Sequence, residues 1–407
     1  MSNGLRVIIH EDPGTPMVAV NVVYDVGSKD EDSERTGFAH LFEHLMFGGS
    51  VNIASYDEPL QQVGAQNNAF TSTDITNYYI TLPKDNIETA LWLESDRMLD
   101  LAFSEKSLEV QRKVVIEEFK QRYLNQPYGE VWLELRPLTY EVSPYRWATI
   151  GKEVGHIEEA TMEDVKAFFR KHYNPENAVL VVAGGIETQP TLELVEKWFG
   201  SIPKGEKYVR NLVKEPEQLA PRTKTVYKDV PQDALYMAWP MAGKYTPEYY
   251  AADIISDALS RGNSSRFYQE ILQKTDVFSQ LDAYVTGEYE SGLFIISGRL
   301  LHGKTTAEGE AIINEALQKF ITGGFYPREL DKIKNKVESS LLFQDTQVLN
   351  KAMGLAFFEL QGDAGAINNE LANYRSVSEA FAIETAQRIF QPQRLNTMYY
   401  LSQQLHS

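Results

Sequence analysis

Cysteine is absent from the 407-residue chain, which excludes disulfides, a thiol nucleophile and thiolate metal ligands. Any metal therefore has to be held by histidine and carboxylate. No apolar run reaches the roughly 18 residues that mark a bilayer-crossing helix, so no membrane span is expected. Basic residues are scarce: 39 Lys and Arg against 57 Asp and Glu give a formal charge of −18. No basic cluster offsets that charge, and binding phosphates needs a dense basic footprint, so nucleic acid is a poor partner. The opening MSNGLRVIIHED lacks a charged region followed by an apolar one. As written, the chain reads as cytoplasmic; a trimmed leader and a periplasmic home would leave the same picture. What is present is a 43% hydrophobic, 24% charged composition, enough for a sizeable core.

Val- and Ile-rich runs at Leu5–His10 and Met17–Val26 read as strands. Phe38–Phe47 reads as a helix stopped by Gly48 and Gly49, and Phe70–Pro83 as one or two strands. Asn86–Leu101 and Glu105–Tyr123 have helical spacing, whereas Ala178–Gly184 is short and wholly apolar, as in a strand buried on both faces. Strands that follow each other directly, mixed with long helices, point to an α+β layer architecture. Pro203–Asp229 is rich in Lys, Glu and Pro and reads as a linker. Segments on either side of it resemble each other: NYYITLP and SGLFIISG each precede two helical stretches. The expected organisation is a first domain at 1–210, a linker at 211–228 and a second, homologous domain at 229–407.

One constellation stands out, His40-Leu41-Phe42-Glu43-His44. On a helix, positions four apart share a face, so both imidazoles can reach one ion. Glu43 lies beside that face and can take a proton from a water at the ion; this is the H-x-x-E-H arrangement. A catalytic zinc keeps three protein ligands and leaves one position open, so a third ligand is required. Without cysteine it has to be His, Asp or Glu. Glu117 and Glu118 in VVIEEFKQ are candidates, and helical spacing alone does not choose between them.

Taken in order, NGLRVIIHED, GFAHLFEHLMFGGS, NAFTSTDITNYY, RKVVIEEFKQR and HYNPENAVLVVAGG resemble the pitrilysin-type inverzincin metallopeptidases. The branch they resemble is that of bacterial and mitochondrial-processing-peptidase-like subunits. The resemblance implies two homologous α/β-sandwich halves and one Zn²⁺ held by His40, His44 and Glu118, with Glu43 as general base. It also implies that GAQNNAFTSTDITNY pairs with an extended peptide through Asn68, Ala69 and Phe70.

Two departures stand out. Gln111 occupies the place of a family Glu that supports the site without touching the ion. The family's Arg and Tyr that bind substrate fall, in an ungapped alignment, on Leu272 and Ser279. A zinc half without an Arg/Tyr half implies a heterodimer whose homologous partner supplies that pair, the two subunits closing as a clam-shell around a peptide chamber. The alternatives are a homodimer with a degraded second half, or a homologue that binds peptides or plays a structural role without turnover.

Overall fold

The computed structural model describes residues 1–405, which fall into two compact units. The first comprises Met1–Leu124, Trp147–Val213 and Leu342–Asn368. The second comprises Asn125–Arg146, Lys214–Leu341 and the residues from Asn369 onward.

In the first unit, β1 (Arg6–Glu11), β2 (Met17–Tyr24), β3 (Gln66–Thr71), β4 (Thr76–Pro83) and β5 (Ala178–Gly184) form one sheet in the order β1-β5-β2-β4-β3. β1 runs parallel to β5; the other neighbours are antiparallel. In the second unit, β6 (Arg222–Lys228), β7 (Ala234–Ala242), β8 (Phe278–Val285), β9 (Ser291–Leu300) and β10 (Asn396–Ser402) take the order β6-β10-β7-β9-β8. Here too the first pair in that order is parallel. The topology repeats strand for strand, as the internal similarity implied, and the class is α+β.

The helices that matter below are α1 (Phe38–Leu45), α2 (Glu105–Phe119), α3 (Val131–Thr139), α4 (Met162–His172), α5 (Pro247–Ser260) and α6 (Val348–Leu360). Every residue of β5 is buried. An all-apolar strand with no polar face must be covered on both sides, and α6 packs on β2 and β5. Ala352 and Ala356, both fully buried, let that helix approach closely.

The units interlace along the chain. α3 precedes the polar connection, yet it packs on β6, β7 and β10 in the second unit. Its Val131 and Leu135 join Val226, Tyr236 and Met398 in one apolar cluster. α6 follows the connection and belongs to the first unit. The contiguous division at 1–210, 211–228 and 229–407 therefore differs from the compact units by these two exchanged segments. The linker reading also ran too far, because residues 222–228 are strand β6. β6 lies at a sheet edge and buries only Val226, so its RTKTVYK pattern has the polarity of a loop.

Candidate metal centre

α1 begins at Gly37, whose φ of +89° and close approach to the Ile150 carbonyl leave no room for a side chain. Glu31 reaches this helix start from the preceding loop. Its carboxylate accepts the Gly37 N–H and the Ala39 N–H, each at 2.9 Å, and the Trp147 indole N–H at 3.1 Å. Burial pushes the Glu31 carboxyl up to about 8, against the pull of these donors, and the group satisfies N–H groups that the helix itself cannot. The entry of the motif helix is thus set by a buried carboxylate nine residues before His40.

His40 and His44 project from one face of α1 with their rings 4.9 Å apart and perpendicular. α2 brings Glu118 to them: its Oε2 lies 3.6 Å from His40 Nε2 and 3.3 Å from His44 Nε2. The other candidate, Glu117, points to solvent and pairs with Lys120 at 2.8 Å. Ligands about 2.0–2.2 Å from a tetrahedral ion sit about 3.3–3.5 Å from each other, so this donor set fits zinc in both chemistry and spacing. Among the described residues, it is the only group of three such side chains able to share an ion.

The electrostatics agree with a neutral His40 imidazole ready to ligate. His40 is brought down to about 4, first by burial and then by neighbouring His44. The Glu118 carboxyl is held below its ordinary range, chiefly by its hydrogen bond with His44. Glu43 is pushed up by burial, against the pull of the Thr71 hydroxyl that donates to it at 2.7 Å. A carboxylate raised toward neutrality is suited to general-base work.

These groups open onto a cleft of about 440 Å³. Asn68, Ala69, Phe70 and Thr71 line it, together with Arg122, Tyr123, Thr149 and Ile150. The first four belong to β3, an edge strand. The Phe70 ring meets Phe357 of α6 edge-on at 6.2 Å, and the Ala69 N–H is taken by the Asn68 side-chain oxygen at 2.9 Å. Gln111 lies two turns before Glu118, half-buried and outside the residues that line the cleft. Sequence reading did not single out Glu31, Thr71, Arg122 or Tyr123. Only Arg122 carried a local signal, standing four residues after Glu118 on the same helical run.

The second unit keeps the scaffold without the donors. α5 presents Asp253 and Asp257 four apart, and Asp257 lies 3.7 Å from Lys336 and 3.3 Å from Arg261. Leu272 packs against the apolar core, and the Ser279 hydroxyl bonds to Gln232 and the Arg299 carbonyl.

Comparisons with known proteins give a consistent picture. A family model described as insulinase (peptidase family M16) matches residues 6–136, and one described as peptidase M16 inactive domain matches residues 159–337. The chain is 31% identical over 386 residues to zinc protease PqqE of Helicobacter pylori, covering 89% of this chain and 85% of that one. It is 29% identical over 209 residues to the mitochondrial-processing peptidase subunit beta of Saccharomyces cerevisiae, covering 51% of this chain and 45% of that one. Its structure superposes on that of a protease from Helicobacter pylori with a TM-score of 0.92, at 27% identity over 98% of both chains.

Proposed function

The chain belongs to the M16 family of peptidases, and from that premise we propose that it is the zinc-bearing subunit of a heteromeric endopeptidase. The observation that carries this reading is the convergence of His40, His44 and Glu118 beside Glu43, in a cleft bordered by an edge strand. The relatives named zinc proteases support the choice of metal. When bound, the ion supplies Lewis-acid polarisation of the scissile carbonyl and acidifies a water. Glu43 accepts a proton from the attacking water and returns it to the leaving amine. Thr71 holds the Glu43 carboxylate in place through its hydroxyl. β3 offers main-chain groups of Asn68, Ala69 and Phe70 to an extended peptide.

The partner follows from what the second unit lacks. Leu272 and Ser279 offer neither a cation nor a phenol where the family places its Arg and Tyr. A homologous subunit carrying that pair supplies them in this reading. The family model described as inactive covers residues 159–337, the end of the first unit and much of the second, and includes none of the metal-site residues, so it does not bear on the centre.

Metal analysis of the purified chain, followed by a quenched-peptide assay with and without a homologous partner, tests the proposal. One zinc per chain and turnover only with the partner are expected. Glu43→Gln should keep the zinc and lose about 10²–10⁴ in rate. Vigorous turnover by the chain alone would remove the heterodimer, and a chain that takes up no zinc would remove the whole reading.

A further inference from the structure

Immediately after Glu118 the helix changes its winding: Lys120–Leu124 forms a π-turn. In an α-helix, a residue five places on lies about 140° around the axis. The i→i+5 hydrogen bonds of a π-turn bring that residue back toward the starting face. Arg122 and Tyr123, four and five places after Glu118, both line the metal cleft. The Tyr123 ring packs on that of buried Phe119 at 5.5 Å, which anchors the turn.

Arg122 Nη1 lies 2.9 Å from Glu118 Oε1, and its side chain is 71% exposed. The two oxygens of Glu118 thus divide their work: Oε2 faces the histidines and Oε1 faces the guanidinium. A guanidinium has five N–H donors in a planar fork, and one bond to Oε1 leaves the others for a second anion. Among the described residues lining the cleft, Arg122 is the only permanent cation. Without it, an acidic substrate would meet the carboxylates of Glu43 and Glu118 with no countercharge from the cleft side chains.

We propose that Arg122 recognises a carboxylate of the bound peptide, bridging it to Glu118 beside the scissile position. This rests on the peptidase reading of the same cleft, and it assigns the site a preference for peptides bearing an acidic group. The carboxylate belongs either to an Asp or Glu side chain or to a free C-terminus.

The experiment uses the full chain carrying Glu43→Gln, loaded with zinc, and reads binding by fluorescence anisotropy. Three labelled peptides of one sequence are compared: internal Glu with an amidated end, internal Gln with an amidated end, and internal Gln with a free end. One acidic peptide should bind about tenfold more tightly than the neutral one, and which one identifies the source of the carboxylate. Adding Arg122→Gln should erase that preference, so that the three peptides bind alike. A preference that survives Arg122→Gln, equal binding of all three peptides, or no binding at all overturns the proposal. Because no turnover is read, its failure is distinct from the peptidase reading failing for want of zinc or activity.

Discussion

His172 is fully buried beneath α4's last turn, with the Tyr208 ring edge-on at 4.6 Å. Its pKa falls to about 3, first through burial and then through the cations of Lys171 and Arg210. In the unfolded chain the same ring titrates near about 6.5. Below that pH the unfolded state binds a proton that the folded state refuses, so stability falls as pH drops from about 6.5 toward 3. Neither ring nitrogen has a hydrogen-bond partner, so His172→Phe forfeits little polar bonding. Urea unfolding at pH 7 and pH 4.5 should show the variant losing about 2–3 kcal/mol less than wild type across that interval. Equal losses would show that this ring does not set the acid limb. Glu31 makes the opposite kind of contribution. Its carboxylate satisfies three N–H donors around the start of α1, and Glu31→Ala leaves the Gly37 and Ala39 N–H groups buried without that acceptor, while the Trp147 indole keeps the Ser28 carbonyl at 2.8 Å. The cost should be about 2–4 kcal/mol, with zinc held less tightly because His40 and His44 ride on that helix. Chelator competition read beside thermal unfolding checks both effects.

At the scale of elements, β3 ties the sheet to the cleft. The Ala69 N–H serves the neighbouring Asn68 side chain, which satisfies an otherwise open edge and deters unwanted strand pairing. A peptide aligned on β3 has to displace that side chain. Ala69→Pro removes the donor at an edge position where proline is tolerated. Peptide KM should rise about three- to tenfold, the worth of one main-chain hydrogen bond, with circular dichroism and melting temperature unchanged. An unaltered KM would mean that the peptide does not lie along this strand. The elements also show where sequence sufficed and where it did not. The His40/His44 pair was legible because its geometry is set within one helical turn. β5 was legible because an unbroken apolar run of that length has few other fates. Glu118 could not be told from Glu117 by spacing, since both lie on a half-exposed helix and only tertiary packing turns one toward α1. β6 was lost in the linker because an edge strand with one buried residue carries a loop's polarity. Glu31 gave no signal at all, being one acid in a polar loop whose partners lie in α1 and in Trp147. α3 and α6 were not read from the sequence, and nothing local to either segment names the sheet that it covers.

For the whole molecule, the exchange of α3 and α6 means that neither unit can be cut out at the polar connection. A fragment of residues 1–213 keeps all five strands of the first sheet and loses α6, leaving the covered face of β2 and β5 bare. Expressed alone, it should bind an apolar dye, aggregate and unfold without a cooperative transition. Co-expression with residues 214–407 should restore a folded complex. A monomeric 1–213 fragment with a sharp thermal transition would show that α6 is dispensable for the first sheet. The same arrangement governs how the protein is made. A ribosome has delivered β5 by residue 184, but the segment that roofs it, Val348–Leu360, is still to be translated. At about 5–20 residues per second the nascent sheet waits roughly ten to thirty seconds with an uncovered greasy face. This makes the partly synthesised polypeptide a natural client for chaperones near the exit tunnel, and it delays completion of the first unit until Val348–Leu360 has emerged.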